Sequence, residues 1–142
     1  MSEIDLSSDS SHSAVMSVVN ASQQRFETMF DALGEGVVYQ NPKGEIVIHN
    51  AAAAEILGLT SDELEGRASV DPRWQALRRD GSPFPGDQHP AMVALRTGER
   101  QTDVLMNVLK PNGTRTWIKI NSIPLFDSSN SEPIAAVTSF SD

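Results

Sequence analysis

Apolar residues near the start of the chain follow a helical spacing. Between residues 14 and 33 they recur at steps of three, four or seven, with Ser22 at the one missing place; they are Val15, Val19, Phe26, Met29 and Leu33. This spacing predicts an amphipathic helix that ends at Gly34. Its apolar stripe is too short to indicate what the helix packs against. The helix either pairs with a second copy or lies on the domain's own surface.

The pattern changes at Gly36 from a helical spacing to short strands. Residues 36–40 and 45–50 are two strand-like runs, and the turn-forming sequence Asn-Pro-Lys-Gly at 41–44 separates them. Turn residues between two such runs are typical of a hairpin. Within the second run, alternation places Ile46 and Ile48 on the inner face.

Two short helices are predicted after this hairpin. Asn50 is a good N-cap for the sequence AAAAEIL, and Gly58 is a good residue to end that helix. Thr60 and Glu63 have the spacing of a capping box, which begins a second helical turn.

The segment from 67 to 90 is rich in residues that interrupt helices. Its four prolines and two glycines leave room only for short helical turns, which we expect around 74–78. Pro90 suits the first turn of a helix over 91–96, and Gly98 ends it.

Three strands complete the predicted fold, at 102–110, 114–126 and 134–140. The order of elements predicts an α+β fold: a five-stranded, mostly antiparallel sheet with short helices inserted between strands 2 and 3, plus the N-terminal helix. The inserted helices are expected to cover one face of the sheet. The other face, which carries Trp117, needs a cover of its own, and the helix over 14–33 is the candidate.

Composition excludes several classes of function. The 142 residues include 19 Asp and Glu, 11 Lys and Arg and no Cys, so the formal net charge is −8. This size suits one domain, and this charge argues against nucleic-acid binding and contact with an anionic membrane. The absence of Cys excludes disulfides, thiolate metal sites and cysteinyl-flavin adducts. Residues 1–13 are acidic and serine-rich, which predicts a disordered tail and no signal peptide. The absence of Cys fits the expected cytoplasmic location.

Four blocks of sequence between residues 25 and 142 occur in a characteristic order. They are RFETMFDALGEGVVYQNPKGEIVIHNAAAAEILGLTSDELEGR, RDGSPFPGDQHPAMVALRTGE, NVLKPNGTRTWIKINSIPLFD and SFSD. Together they resemble the PAS family of sensory domains, which implies a PAS domain over 34–142. Asp142 resembles the first residue of the Asp-Ile-Thr motif that leads from a PAS domain into a following helix. The resemblance implies a domain cut from a multidomain sensor, such as a histidine kinase of a two-component system or a cyclic-di-GMP signalling protein.

No motif in the sequence indicates catalysis or a resident metal. A Ser/His/Asp arrangement, an H-E-x-x-H motif and a glycine-rich phosphate loop are all missing, so we expect no enzymatic activity of this fragment. Haem is not expected either. Alternation places His49 on the outer face, His89 stands where a residue commonly caps a helix, and the helix over 91–96 contains no His. Non-covalent flavin stays open, although Gln40 is the one obvious inward-facing amide.

A ligand pocket is predicted between the inner face of the sheet and the inserted helices. Alternation and helical spacing assign to it Val38, Gln40, Ile48, Ile56, Leu57, Met92, Leu95, Met106, Val108, Ile118 and Ile120. Trp74 and Phe84 would close one end of it. The same residues would equally make an ordinary packed core. Both interpretations stay open, and a small apolar or carboxylate ligand would suit the first.

Two functions are consistent with this reading. The first is a sensory PAS domain that binds a small molecule, forms a homodimer and regulates an attached effector. Its dimer and signalling residues would be those of the helical stripe, Val15, Val19, Phe26, Met29 and Leu33, together with Trp117 and Asp142. The second is a ligand-free module for dimerisation or for binding another protein.

Overall fold

The computed structural model describes residues 21, 24–26, 28–129 and 131–142. The chain divides into two compact units, Met1–Ala32 and Leu33–Asp142. The predicted tail over 1–13 and the stripe residues Val15 and Val19 lie outside the described residues.

The described residues of the first unit are helical from 21 to 32. Phe26 and Met29 are 60% and 68% exposed, and the rings of Phe26 and Phe30 stack with their centroids 5.5 Å apart. Leu33, just after the helix, is also exposed. This part of the predicted amphipathic helix therefore presents apolar side chains at its surface.

The second unit is built on one five-stranded sheet in which every pair of neighbours is antiparallel. The strands lie in the order β2-β1-β5-β4-β3, and their bounds are Gly36–Gln40 (β1), Ile46–His49 (β2), Gln101–Leu109 (β3), Arg115–Leu125 (β4) and Ala135–Ser141 (β5). The predicted α+β class and the five-stranded antiparallel sheet are confirmed.

Short helices fill the connection between β2 and β3, as the sequence predicts. They are α1 (Ala51–Leu57), α2 (Ser61–Leu64), α3 (Pro90–Thr97) and two 3-10 turns, Pro72–Trp74 and Gly86–Gln88. The predicted capping box of α2 is present: Glu63 N donates to Thr60 Oγ1 at 3.2 Å, and Thr60 N donates to Glu63 Oε1 at 3.0 Å.

The predicted N-cap Asn50 has a larger role than capping. Its Oδ1 accepts hydrogen bonds from Ala53 N at 3.0 Å and from Val37 N at 2.9 Å, and its Nδ2 donates to Glu35 O at 2.9 Å. The side chain is fully buried. Asn50 therefore fixes the start of α1 against β1, and Gly58 ends the helix with a left-handed φ of 67°.

The expected helical turn at 74–78 is misplaced. The turn actually lies at Pro72–Trp74, because Asp71 caps it by accepting from Arg73 N at 2.9 Å and Gln75 ends it at a left-handed φ of 39°. A proline at the first position of the turn is compatible with this capping.

A register irregularity in the first hairpin changes the face of one predicted pocket residue. Gln40 pairs with Ile46, Tyr39 pairs with Ile48, and Val47 is left between them. Ile46 is therefore buried, whereas Ile48 lies on the outer face and is 47% exposed. The expected inward position of Ile48 is wrong, because one extra residue in a strand reverses the facing of those that follow.

The same irregularity moves His49 to the other face. His49 pairs with the inward-facing Val38 and its Nε2 lies 3.0 Å from Ser61 Oγ in α2. The expected outer position of His49 is therefore also wrong.

The segment between α2 and α3 is hydrogen-bonded to both edge strands of the sheet. At the β2 edge, Ile46 N donates to Arg67 O at 3.1 Å. At the β3 edge, Leu77 N donates to Asn107 O at 2.8 Å and Asn107 N donates to Leu77 O at 2.9 Å. These bonds hold residues 67–77 across the inner side of the sheet.

Candidate ligand pocket

An inner cavity of about 70 Å³ lies between the inner face of the sheet and the segments that cover it. Inward-facing residues of β1, β3, β4 and β5 line most of it, and these are largely apolar. Eight predicted residues are in this lining: Val38, Gln40, Leu57, Trp74, Met106, Val108, Ile118 and Ile120. The remaining five, Ile48, Ile56, Phe84, Met92 and Leu95, lie elsewhere.

Helix α3 approaches the cavity with its small residues and not with its large ones. Pro90 and Ala91 line the cavity, and Ala94 is fully buried, whereas Met92 and Leu95 are only half-buried and do not line it. Small side chains let the helix pack close to β4 and β5, and this turns the larger ones aside. The expected pocket positions of Met92 and Leu95 are therefore not those of the structure.

Ile56 and Phe84 are buried in the hydrophobic core without lining the inner cavity. Ile56 lies in α1 among core residues. Phe84 belongs to the segment before α3 and lines a second, outer cleft instead.

Several lining residues were not predicted from the sequence. They are Ile46, Ser69, His89, Pro90, Ala91, Thr138 and Phe140. The sequence pattern could have indicated Thr138 and Phe140, because they alternate with outward-facing residues along β5. Both are buried, as is Ala136 in the same alternation. Ser69 lies in a loop and carries no periodic signal.

A chain of hydrogen bonds crosses one end of the cavity on the inner face of the sheet. Gln40 Nε2 donates to Gly44 O at 2.9 Å and to Ser69 Oγ at 3.0 Å. Thr138 Oγ1 donates to Gln40 Oε1 at 2.8 Å, and Ser122 Oγ lies 2.8 Å from Thr138 Oγ1. The four side chains are 0–7% exposed.

The donor and the acceptor of each hydrogen bond in this series can be assigned from the carbonyl of Gly44. The carbonyl of Gly44 can only accept, so the amide nitrogen of Gln40 faces Gly44 and its oxygen faces Thr138. Thr138 has one hydroxyl proton, which it donates to Gln40 Oε1. Ser122 Oγ is therefore the donor in its bond with Thr138 Oγ1. Every donor is thereby used along the chain as far as Ser69, which accepts from Gln40.

The outer cleft has a volume of about 200 Å³ and lies between the two 3-10 turns. Prolines and aromatic residues make up much of its wall, with Asp71 as the one ionised side chain. Ser69, Trp74 and His89 line both this cleft and the inner cavity. These three residues, which we call the junction, separate the two spaces.

His89 is buried within the junction. Its Nε2 lies 3.0 Å from the carbonyl oxygen of Phe84, and the two rings meet edge to face at 5.2 Å. Burial lowers the pKa of His89 from its ordinary value. His89 is the N-cap residue of α3, but its side chain makes no capping bond, so the expectation that it caps this helix is wrong.

Trp74 is held in place from two sides. Its Nε1 donates to Ala68 O at 2.9 Å, and the guanidinium of Arg67 lies 4.8 Å from the ring centroid in a cation–π contact. Arg67 is only 8% exposed, and burial lowers its pKa. Its Nε is the one buried side-chain nitrogen or oxygen without a hydrogen-bond partner among the residues that the structure describes.

The arrangement of the inner cavity is suited to binding a small molecule. Within the described part of the chain, no group of three or more His, Asp or Glu side chains could hold a metal ion. The inner cavity is apolar with a few polar groups at one end, which is the usual composition of a site for a small organic molecule. None of the lining residues of either space is Lys or Arg.

The outer face of the sheet carries a second concentration of apolar side chains. Ile48, Tyr39, Val137 and Ile123 are paired successively across β2, β1, β5 and β4. Trp117, also on β4, is 46% exposed. A row of partly exposed apolar side chains on one face of a sheet is typical of a contact surface.

Comparison with solved structures places the fold among PAS domains. The structure is similar to the PAS domain of an HTR-like protein from Haloarcula marismortui, with a TM-score of 0.69 and 13% identity over 92% of this chain and 98% of that one. A domain of a sensory box sensor histidine kinase/response regulator from Geobacter sulfurreducens is similar with a TM-score of 0.62 and 16% identity, covering 87% of this chain and 96% of that one. At such low identities, these TM-scores show a shared fold.

A third similar structure is the light-state dimer of the fungal blue-light photoreceptor Vivid. Its TM-score is 0.59 and its identity 15%, over 77% of this chain and 78% of that one. No curated protein matches the chain in sequence.

Among the described residues, no helix is both long and apolar enough to span a membrane. The family profile described as PAS domain matches residues 34–142, which is most of the chain. The chain therefore belongs to the PAS domain family.

Proposed function

We propose that this PAS domain is a sensory domain that binds a small, uncharged molecule in its inner cavity and acts as a homodimer. PAS domains are sensory domains of signalling proteins, and one similar structure is part of a sensor histidine kinase/response regulator. The binding event would regulate an effector in the parent protein, such as a histidine kinase or a cyclic-di-GMP enzyme. Asp142, exposed just after β5, would lie on the route to that effector.

The observation that carries this proposal is the composition of the inner cavity. Its wall is apolar except for a few polar side chains, among them Gln40, Ser69 and Thr138, which are already joined by hydrogen bonds. A preorganised polar end in an apolar cavity favours one orientation of a ligand. An uncharged ligand is favoured over a carboxylate because no lining residue supplies a cation.

Mass and absorbance measurements test ligand binding. Native mass spectrometry of the purified chain, compared with the denatured chain, should reveal extra mass that denaturation releases. An absorbance scan through the visible range identifies a chromophore if the added mass is haem or flavin. A bare chain that also shows no thermal shift with neutral organic probes would contradict the ligand proposal.

The homodimer is proposed to use the N-terminal helix and the outer face of the sheet. Support comes from the exposed Phe26 and Met29, from Ile48 and Trp117 on the outer face of the sheet, and from the similar Vivid structure, which is a light-state dimer. A signal can alter such a dimer only through a differential affinity for two of its arrangements.

Charge substitutions separate the two candidate contact surfaces. The double variant Phe26→Glu, Met29→Glu tests the helix, and Trp117→Glu tests the sheet face. Val70→Glu is the matched control, because Val70 is 54% exposed and belongs to neither surface. We expect the mass measured by light scattering to fall to that of the monomer in either test variant but not in the control. A dimer that survives both changes would contradict this geometry.

A ligand-free interaction module is the second candidate. The observation that favours it is the small volume of the inner cavity, about 70 Å³, which is less than half of the ~150 Å³ of an engineered cavity that binds benzene. A dimer that never acquires added mass and never responds to a small molecule would fit this function.

A further inference from the structure

The inner cavity by itself is too small for most organic signals. Its volume of about 70 Å³ admits a few heavy atoms, whereas the outer cleft offers about 200 Å³. A ligand larger than a few atoms therefore has to use both spaces, and the junction of Ser69, Trp74 and His89 lies between them.

Ser69 retains one unused hydrogen-bond donor at the junction. Its Oγ accepts from Gln40 Nε2, and no acceptor for its own proton lies within hydrogen-bond distance in the described part of the chain. The residue is 7% exposed, so bulk water does not readily replace that acceptor. Since the bonds from Ser122 through Thr138 and Gln40 all point toward Ser69, they polarise one another and strengthen its donor.

His89 retains one unused acceptor at the same junction. The carbonyl of Phe84 can only accept, so His89 Nε2 carries the proton that it donates to Phe84. In the neutral ring, Nδ1 is then an acceptor. No residue that the structure describes makes a hydrogen bond to Nδ1, and this atom is not among the buried unpartnered ones, so a ligand in the adjoining space can reach it.

A molecule that satisfies both groups needs a carbonyl oxygen for Ser69 and an N–H for His89. Amides and lactams carry both on adjacent atoms and are uncharged near neutral pH. A carboxylate lacks the N–H, and no Lys or Arg lines either space to pair with its charge.

We propose that the two spaces form one two-chamber site for a neutral amide or lactam, whose amide group binds to Ser69 and His89 at the polar end of the inner cavity while the rest of the molecule occupies the outer cleft. This inference rests on the proposed ligand-binding function and names its ligand class. Entry requires the Trp74 indole to move aside, and the bond from Trp74 Nε1 to Ala68 O is the contact that must loosen.

Titrations followed by NMR test this proposal with three probes of similar size. Benzamide has the carbonyl and the N–H, acetophenone has only the carbonyl, and benzoate is an anion. Benzamide should bind at least tenfold more tightly than either other probe, because only its N–H can donate a hydrogen bond to His89 Nδ1. It should shift both the methyl signal of Met106, in the inner cavity, and the amide signal of Gly86, in the outer cleft.

Two valine substitutions localise the binding. Val70 lines the outer cleft and is 54% exposed, whereas Val47 is 52% exposed and lines neither space. Val70→Trp should fill the cleft and weaken benzamide binding at least tenfold, and the matched control Val47→Trp should leave it unchanged. Because both positions are at the surface, neither change should prevent folding, and a thermal unfolding curve checks this.

A serine substitution tests the donor at the junction. Ser69→Ala should weaken benzamide and acetophenone alike, since both carbonyls lose the same hydrogen bond, and the preference for benzamide should persist. If this variant does not fold, the probe series on the unmodified chain still decides the ligand class.

Each contrary outcome has a distinct meaning. Equal binding of benzamide and acetophenone would overturn the amide assignment. Probe shifts at Met106 alone, with no effect of Val70→Trp, would overturn the two-chamber site and leave ligand binding in the inner cavity standing. No shift by any probe would overturn this inference, and the mass measurement described above would still test the proposed function separately.

Discussion

The hydroxyl of Thr138 donates a hydrogen bond of 2.8 Å to the side-chain oxygen of Gln40, a residue 98 positions earlier in the chain. This bond joins the inner faces of β5 and β1 at the centre of the sheet. It lies in the middle of the chain of donors that runs from Ser122 to Ser69, so the whole polar end of the cavity depends on it.

Removal of this hydroxyl should destabilise the fold. Thr138→Val keeps the side-chain shape but leaves the Gln40 oxygen and the Ser122 hydroxyl buried without their partner, and a buried unpaired group costs about 1–3 kcal/mol. Urea denaturation measures the loss. Thr116→Val is the control, because Thr116 is in the same sheet and only half-buried. Equal stability of the two variants would show that the chain of hydrogen bonds contributes nothing.

Gly86 should not tolerate a methyl group. A Cβ at this position would overlap the backbone of Ser69 and Val70, which cannot move aside as a flexible side chain could. Gly86→Ala is expected to lower the thermal unfolding midpoint by several degrees and to alter the outer cleft. Gly34→Ala is the matched control, since a Cβ there meets no atom within 4 Å. An unchanged midpoint for Gly86→Ala would mean that the two loops are not in contact.

The titration of His89 should make the fold less stable in mild acid. Because burial lowers the pKa of His89 in the folded state, the unfolded chain takes up a proton first as the pH falls through the ordinary value of 6.5. Stability should therefore decline below about pH 6.5 until the folded-state pKa is reached. Burial is the largest influence and lowers this pKa. Among the charged neighbours, Asp87 raises it and Arg78 lowers it.

Measurement of this effect requires a variant without the imidazole. The free energy of unfolding of His89→Phe, followed from pH 7.5 to pH 5, should lose that part of the decline. An NMR titration of the His89 ring signals gives its folded-state pKa directly. A pKa at or above 6.5 would contradict the prediction.

Asp71 should stabilise the fold until strongly acidic conditions are reached. Its hydrogen bonds from the Arg73 side chain, at 3.0 Å and 2.6 Å, lower the pKa of this carboxyl from 3.8 to about 2. A lowered carboxyl pKa contributes stability above pH 3.8, and this contribution is lost as the pH falls toward 2. Asp71→Asn should flatten the profile of unfolding free energy against pH over that window.

Sequence alone was sufficient for the elements that local chemistry dictates. The hairpin turn at 41–44, the caps at Asn50 and Thr60, and the end of α3 at Gly98 depend on residues a few positions apart. The number of strands and the position of the helices between strands 2 and 3 followed from the same local signals.

The candidate site was harder to predict because it depends on register and on packing. Alternation along β3 and β4 correctly places Met106 and Ile118 beside the cavity, since those strands run regularly there. Alternation along β2 places Ile48 on the wrong face, because Val47 is an extra residue in that strand and no local feature of the sequence indicates it. Ser69 and His89 come together only when two proline-containing loops pack on each other, and no periodicity describes that.

The hydrogen bonds from residues 67–77 to the two edge strands have a mechanical consequence for signalling. The segment is tied to one margin of the sheet through Arg67 and to the other through Leu77, and Ser69 and Trp74 lie between these ties. A molecule that displaces Trp74 would therefore act on both margins of the sheet at once. Through this segment, movement of the single Trp74 side chain would change the twist of all five strands, and with it the exposed face that carries Trp117.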